Sequence, residues 1–401
     1  MLTFTINANY NVLSRISNFQ QIFNTKMKRL MLKLSISGLL IFLINDISYP
    51  ASVDIEVNTG LSYDTNVSQS FNTSKADTYF TLAPKANLKM PFNRTYFSTD
   101  LRAALERHIN ETSQDLQELV FSGLGRYNYS DFLSLALKDD FIVSGDLKSA
   151  EKLTDVTNKR KFLDNKLTSG IKFEIKPQSL IVSMEYTNSI RNYMNTIEND
   201  WMGHSGHASV EYIIGHRTSV QLGVGLVRKS YKSDVDYYSF PISASIKRNL
   251  SSKIDASFSL GIENRQYNKI MENLSWSKPT VALDIVGRFT PKTDSRLVLQ
   301  RKVYDSDLFT GYSFVSNAVD TALAIDLKYN LQLILQGLYS RDNYIDIHRS
   351  DDVFGGKSAI RYNLSKWGGI VFGYGYIRQA IRNSDTTYEQ HIVDIYYIVV
   401  F

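Results

Sequence analysis

The sequence predicts an all-β fold: a single transmembrane antiparallel up-and-down β-barrel of about eighteen strands. Three observations predict it. Apolar residues recur with period two along the chain, short and long polar connections alternate, and the last residues form an apolar strand pattern. In barrels of this kind the short connections are periplasmic turns and the long ones are extracellular loops.

Residues 1–51 are predicted to be a leader that precedes the fold. The stretch "KMKRLMLKLSISGLLIFLINDISYPAS" has a basic front, an apolar run and then small and turn-forming residues. This is the three-part layout of a secretory signal peptide, and the apolar run is too short to span a bilayer. Met27 and Met31 are alternative starts, cleavage is expected near Ala51, and a buried N-terminal helix is the competing interpretation. The barrel domain is then residues 52–401.

Composition excludes several classes of function. The formal charge is +5, but residues 1–51 hold five basic residues and one acidic residue, which leaves +1 for the remainder. A nearly neutral chain without a basic stripe is not expected to bind nucleic acid. The chain has no cysteine, so disulfides and cysteine metal sites are excluded.

The clearest strand pattern is "KIDASFSLGIENR", where Ile254, Phe258, Leu260 and Ile262 alternate with polar or small residues. Side chains alternate across a strand, so one face is apolar and the other polar. We expect these four residues to face lipid. A soluble β-sandwich is the alternative, but it does not require uniform repetition of segments of about ten residues.

The polar rows are predicted to line the lumen. A barrel of roughly sixteen to eighteen strands is wide enough for an aqueous channel. Charges of both signs occur in near balance, which suits a hydrated and weakly charged or neutral solute such as a sugar. Alternatively, these charges only pair with each other in a polar interior. The candidate lumen-lining residues are Arg102, Lys172, Glu174, Asp255, Glu263, Asp284, Arg288, Asp326, Lys328, Lys357 and Arg361.

No catalytic, metal or cofactor motif is found. "HSGH" offers His204 and His207 as two metal ligands, but a third and fourth are missing nearby, so solvated rim histidines are the preferred interpretation. No serine and histidine stand in a recognisable nucleophile motif, and no glycine-rich phosphate loop precedes a helix. The sequence therefore predicts neither an enzyme nor a cofactor.

The last strand, "HIVDIYYIVVF", resembles the C-terminal assembly signal of bacterial outer-membrane proteins. The resemblance implies insertion into the outer membrane, recognition by the barrel assembly machinery, and pairing of this strand with the first strand. A polar tail would hide such a signal. The matching apolar row is Val393, Ile395, Tyr397, Val399 and Phe401.

The first strand and loop read "VNTGLSYDTNVSQSFN". They resemble a family of outer-membrane β-barrel proteins encoded with exopolysaccharide biosynthesis and export systems. The resemblance implies a conduit that secretes polysaccharide and works beside periplasmic polysaccharide-export proteins. The matching positions are Gly60, Tyr63, Asp64, Asn66 and Val67.

Three functions therefore compete. The first is exopolysaccharide secretion, and the second is a porin for small solutes or oligosaccharides. In the porin a long loop, for example residues 144–165, would fold inward as a constriction. The third, an outer-membrane barrel enzyme acting on lipid or surface polymer, is the least favoured.

Overall fold

The structure is a computed structural model. It describes residues 52–67, 74–112, 115–144, 162–176, 179–193, 200–232, 236–268, 275–306, 313–328, 330–345, 347, 349–382 and 386–401. The leader, its alternative starts and its cleavage site lie outside these residues and stay predictions. The same holds for most of the predicted inward loop, since residues 145–161 are not described.

Every regular element of the described residues is a strand. The first nine are β1 (Ser52–Asp64), β2 (Asp77–Pro91), β3 (Thr95–His108), β4 (Leu116–Asn128), β5 (Leu133–Ser144), β6 (Phe162–Lys176), β7 (Leu180–Tyr193), β8 (Trp201–Ile214) and β9 (Thr218–Tyr231). The others are β10 (Asp236–Ser251), β11 (Ile254–Asn268), β12 (Ser275–Thr290), β13 (Thr293–Asp305), β14 (Ser313–Lys328), β15 (Leu331–Tyr344), β16 (Ser350–Ser365), β17 (Gly368–Ile381) and β18 (Thr387–Val400). The described part of the chain contains no helix long and apolar enough to cross a membrane.

The eighteen strands form one closed antiparallel sheet. Each strand pairs with its neighbours in the chain, and β18 pairs with β1 from Glu56↔Val400 to Asp64↔Ile392. Closure leaves no strand edge unpaired, as a sheet in hydrocarbon requires. The predicted fold, its strand number and the pairing of the last strand with the first are confirmed.

The connections alternate in length as the sequence predicts. Even-numbered strands are followed by turns of two to four residues, and odd-numbered strands by connections of four to seventeen. Gly215, in the turn between β8 and β9, has a φ of 64°, in the left-handed region that favours glycine. We call the two rims the turn end and the long-loop end. Ser52 and Val400 both lie at the turn end.

A contact between non-neighbouring strands identifies the inward rows. Lys229 Nζ of β9 lies 2.6 Å from Asp305 Oδ2, at the last residue of β13, so the Lys229 side chain points into the barrel. Residues paired across an antiparallel ladder share a face, so the register carries this assignment around the sheet. The outward rows are apolar: Leu222 and Val224 of β9 are exposed, as are Phe258, Leu260 and Ile262 of β11. Ile254 lies on the same outward row.

Candidate functional site

The inward rows form the lumen, and the register places ten of the eleven predicted lumen residues on one of them. Ser257 pairs with Asp284, and Gly375 pairs with Lys357, for example. Their role as the lining of a water-filled path stays a prediction. The residues so placed on an inward row are Arg102, Lys172, Glu174, Asp255, Glu263, Asp284, Arg288, Asp326, Lys357 and Arg361. The exception is Lys328, which follows a register shift and pairs with Leu331 on the outward row of β15.

These residues do not converge on one site. They are spread around the sheet, and several pair with a neighbour on the same inward face. Lys172 Nζ lies 2.9 Å from Glu174 Oε1, and Arg296 Nη2 lies 2.7 Å from Asp284 Oδ2. Lys357 Nζ is 3.9 Å from an oxygen of Asp394. Such partly exposed pairs keep the interior polar and add little to stability.

A cavity of about 620 Å³ lies along the inward faces of β13–β18. Arg296, Asp320 and Lys357 supply charge to its lining. Gly355 and Gly375 belong to the same lining and add no side chain, so the wall recedes beside Lys357. The cavity is therefore wide and polar enough for a hydrated solute of sugar size.

Burial of the inward rows increases towards the long-loop end. The side chain of Arg288, near the turn end, is 80% exposed. Phe314 at the long-loop end is 1% exposed, and Tyr237 and Tyr267 are also buried. Inward side chains are therefore packed together at the long-loop end and exposed at the turn end.

Many of the packed side chains at the long-loop end are inward aromatic residues. Tyr237 and Tyr267 have ring centroids 5.4 Å apart, and the Phe314 centroid lies 5.5 Å from that of Tyr304 and 5.3 Å from that of Tyr344. We call this set the aromatic layer. Its members are Phe162, Tyr193, Trp201, Tyr231, Tyr237, Tyr267, Trp276, Tyr304, Phe314, Tyr344 and Tyr388.

Asp305 organises a buried charged cluster within the aromatic layer. Its carboxylate accepts hydrogen bonds from Lys229 Nζ at 2.6 Å, from Tyr237 Oη at 2.9 Å and from the Arg265 guanidinium. Arg265 also donates to Ser313 Oγ at 2.7 Å. We call Lys229, Tyr237, Arg265 and Asp305 the Asp305 cluster. A buried charge is tolerated only when paired, and these contacts supply the pairing.

The two cations also lie over aromatic faces. Lys229 Nζ is 4.0 Å from the ring centroid of Trp201, and the guanidinium carbon of Arg265 is 5.3 Å from that of Trp276. The indole Nε1 atoms of both tryptophans are buried, and neither has a hydrogen-bond partner among the described residues. The region thus combines flat apolar faces, two cations and two unused N–H donors.

The sequence predictions did not identify this region. The predicted lumen residues include no aromatic residue, whereas the aromatic layer faces inward. Lys229 and Asp305 were not among the candidate lumen residues. One signal was present: Tyr237 and Tyr267 stand on the same row as Ser239 and Arg265, which is the polar row of their strands.

The histidines differ from the predicted rim positions. His204 points outward and contacts Tyr186 Oη through Nδ1 at 2.7 Å, whereas His207 stands on the inward row. A spacing of three in a strand puts the two rings on opposite faces, so they cannot share a metal ion. His108 is buried, with its ring centroid 4.7 Å from that of Tyr79.

Comparisons with known proteins agree with this architecture. Residues 278–397 match a family model described as "Putative beta-barrel porin 2". The structure of Pseudomonas aeruginosa OccK2 (OpdF) aligns with a TM-score of 0.50 and 12% identity, covering 88% of this chain and 98% of that one. A BenF-like porin from Pseudomonas fluorescens Pf-5 aligns with a TM-score of 0.51 and 10% identity, covering 88% and 99%. No curated protein matches the sequence.

At these identities the alignments show the fold alone. A closed barrel with an apolar outer surface is the architecture of outer-membrane proteins. The chain therefore has a porin-type barrel fold, and the predicted location in the bacterial outer membrane is confirmed at the level of the fold. OccK2 has also been solved in complex with glucuronate.

Proposed function

We propose that the chain is a passive outer-membrane channel for small hydrophilic solutes, with the aromatic layer and the Asp305 cluster as its selective region. One observation carries the proposal: Asp305 of β13 reaches Lys229 of β9 across the lumen at 2.6 Å. A solute that passes this level must interact with these groups or displace their contacts. The turn end, where Arg288 is exposed, offers no comparable obstacle.

The chemistry of the region favours a hydroxylated solute. Sugar rings pack on aromatic faces, and their hydroxyl groups exchange hydrogen bonds with charged side chains. The buried indole N–H groups of Trp201 and Trp276 are available as donors. A sugar acid adds a carboxylate, the group that Asp305 already presents to Lys229 and Arg265. We therefore propose that a solute carboxylate competes with Asp305 for the two cations.

Measured permeability tests this proposal. The purified barrel is placed in liposomes, and swelling rates are compared for glucuronate, glucose and a neutral disaccharide. We expect the monosaccharides to enter faster than the disaccharide. Asp305→Asn should raise the ratio of the glucuronate rate to the glucose rate, because it leaves Lys229 and Arg265 free to pair with the solute carboxylate. The control Asp326→Asn changes an exposed inward carboxylate at the turn end and should leave this ratio unchanged. Equal rates for every solute, in wild type and variant alike, would contradict a selective region.

Secretion of exopolysaccharide is the second candidate. It is supported only by the resemblance of the first strand. The polysaccharide and the periplasmic export proteins are partners that this candidate function implies. The porin matches favour the small-solute channel over this candidate. Deletion of the gene followed by measurement of extracellular polysaccharide separates the two: a small-solute channel leaves the amount unchanged, whereas a secretion conduit reduces it.

A further inference from the structure

Four arginines point outward at the long-loop end of β13–β17. Arg301 and Arg341 both pair in register with Asn317, so they stand in one row across three strands. Arg378 lies on the outward row of β17, and Arg382 follows the end of that strand directly. We call Arg301, Arg341, Arg378 and Arg382 the arginine patch. It lies on the outer surface and is separate from the lumen.

Two members of the patch share one carboxylate. Asp352 Oδ1 accepts a hydrogen bond from Arg341 Nε at 2.7 Å, and Asp352 Oδ2 accepts one from Arg382 Nε at 2.9 Å. The Asp352 side chain is 15% exposed, whereas those of Arg341 and Arg382 are 37% and 51% exposed. Arg341 and Arg382 carry two positive charges against the single negative charge of Asp352, so one positive charge is not neutralised. Both guanidinium groups are accessible from outside the barrel.

The remaining two arginines add a second surplus charge. Arg378 pairs with Glu389 at 3.4 Å. Arg301 contacts neutral acceptors, the carbonyl oxygen of Pro279 at 3.2 Å and Asn317 Oδ1 at 2.9 Å, and pairs with no carboxylate of the described residues. The arginine patch therefore carries two positive charges beyond those of its acidic partners.

Within the part of the rim that the structure describes, two other outward arginines are neutralised. Arg107 pairs with Asp115 at 2.6 Å, and Arg228 pairs with Asp236 at 3.5 Å. Each has a carboxylate of its own. The surplus of the arginine patch is therefore a feature of one sector and not of the whole rim.

The position of the patch corresponds to the depth of lipid headgroups. Tyr339 and Phe354 pack with ring centroids 4.8 Å apart on the outward face. Phe354 is paired in register with Arg378, and Arg341 stands two residues beyond Tyr339 towards the long-loop end. Outward aromatic rings occupy the membrane interface, so guanidinium groups beside and beyond them lie among headgroups.

We propose that the arginine patch binds a phosphorylated headgroup of an outer-leaflet lipid. Guanidinium groups bind phosphate with two parallel hydrogen bonds, and a phosphate monoester carries about −1.5 to −2 charge at neutral pH, which matches the surplus. The exposed apolar side chains Phe354 and Phe372 continue the surface towards the midplane and suit the acyl chains. A lipid contacts both the arginine patch and the apolar side chains, whereas a free phosphate contacts the arginine patch alone. The proposal is independent of the solute that the channel carries.

The experiment uses the full barrel, folded in a neutral detergent, with three probes: bis-phosphorylated lipid A, dephosphorylated lipid A and inorganic phosphate. Binding is read from the rise in the temperature at which the folded gel band disappears, and from lipid retained in native mass spectrometry. For the wild type we expect binding of the phosphorylated lipid alone. Arg301→Gln combined with Arg382→Gln should weaken it about tenfold, since each removes a charged hydrogen-bond donor.

Two further variants make the result specific. The control R107Q/R228Q removes two outward arginines of the same rim and should bind as the wild type does. R301K/R382K keeps the charge but loses the planar fork, and should recover part of the affinity. The folded gel band shows that each variant has assembled, and R382Q alone replaces the double variant if that band is missing.

Several outcomes would overturn the proposal. Equal loss in the patch and control variants would mean that general surface charge is responsible. Equal binding of dephosphorylated lipid A would exclude a phosphate site, and an equal shift with inorganic phosphate would identify a free anion as the ligand. A dimer that dissociates in R301Q/R382Q while lipid binding stays unchanged would assign the patch to contact between two copies of this chain.

Discussion

Gln390 of β18 donates a hydrogen bond from Nε2 to the carboxylate of Asp64 in β1, and both side chains are buried. Asp64 Oδ1 also accepts from the backbone N–H of Asn66 at 2.7 Å, and Tyr388 Oη donates to Gln390 Oε1 at 2.6 Å. This network joins the two strands that close the barrel. Asp64 and Asn66 belong to the motif that resembles exopolysaccharide-associated barrels, and here they have a structural role. These two positions of the motif therefore contribute to the closure of the barrel.

Gly60 belongs to the same seam, which we define as the ladder between β1 and β18. A Cβ added at Gly60 would lie 2.3 Å from the carbonyl oxygen of Ile395 and 2.4 Å from the Tyr396 ring, so Gly60→Ala should cost about 1–3 kcal/mol of unfolding free energy. Gly206 is the matched control, because a Cβ there meets nothing within 4 Å. Urea titration in lipid vesicles measures both. Similar stabilities for G60A and G206A would contradict close packing at the seam.

The outward row of β11 is expected to face hydrocarbon. Phe258→Arg should lower the free energy of unfolding by roughly 2–4 kcal/mol if the residue lies near the midplane. Ser257→Arg and Ser259→Arg introduce the same group on the inward row and should have little effect. Titration in vesicles of one lipid composition compares the three. Equal destabilisation on both rows is the result expected of a soluble sandwich, and would contradict this orientation.

Charges of the inward rows are expected to set ion selectivity. Lys357→Glu combined with Arg361→Glu should shift the reversal potential of single channels towards cation preference, because both side chains lie on the inward face. Lys366→Glu, in the turn between β16 and β17, is the control. The measurement uses planar bilayers with a salt gradient. An unchanged reversal potential in an open channel would show that these residues do not line the ion path.

The terminal phenylalanine is expected to act in assembly. Phe401→Asp should reduce insertion into the outer membrane and leave unassembled protein in the periplasm, as the resemblance to an assembly signal implies. Trp367→Asp makes the same chemical change at an exposed turn position and should assemble normally. Asp351, in contrast, is an unsuitable control, because it lies in β16, is buried and accepts a hydrogen bond from Gln379. Heat-modifiable migration on a gel reports assembly, and normal amounts of folded F401D would refute the prediction.

Local patterns were sufficient to predict the wall of the barrel. The period-two rows and the polar connections each depend on a few consecutive residues, so strands such as β11 and turns such as 215–217 could be located from the chain alone. The contents of the lumen could not. Lys229 and Asp305 are 76 positions apart, and their contact depends on how the closed sheet brings β9 and β13 together. Likewise, period two separates the two faces of a strand, but an aromatic residue suits both the lipid interface and a packed interior.

Phe401 and Ile55 exchange backbone hydrogen bonds, with Phe401 N–H donating to the Ile55 oxygen at 2.8 Å and Ile55 N–H donating to the Phe401 oxygen at 3.4 Å. The two ends of the barrel segment are therefore neighbours, and the native contacts form a ring in which no strand is first. A circular permutant that joins residues 401 and 52 by a short linker and opens in the connection over 194–200 should retain all eighteen ladders. Such a chain ends on β7 instead of β18, so it separates the contribution of the last strand to closure from its contribution to recognition during assembly.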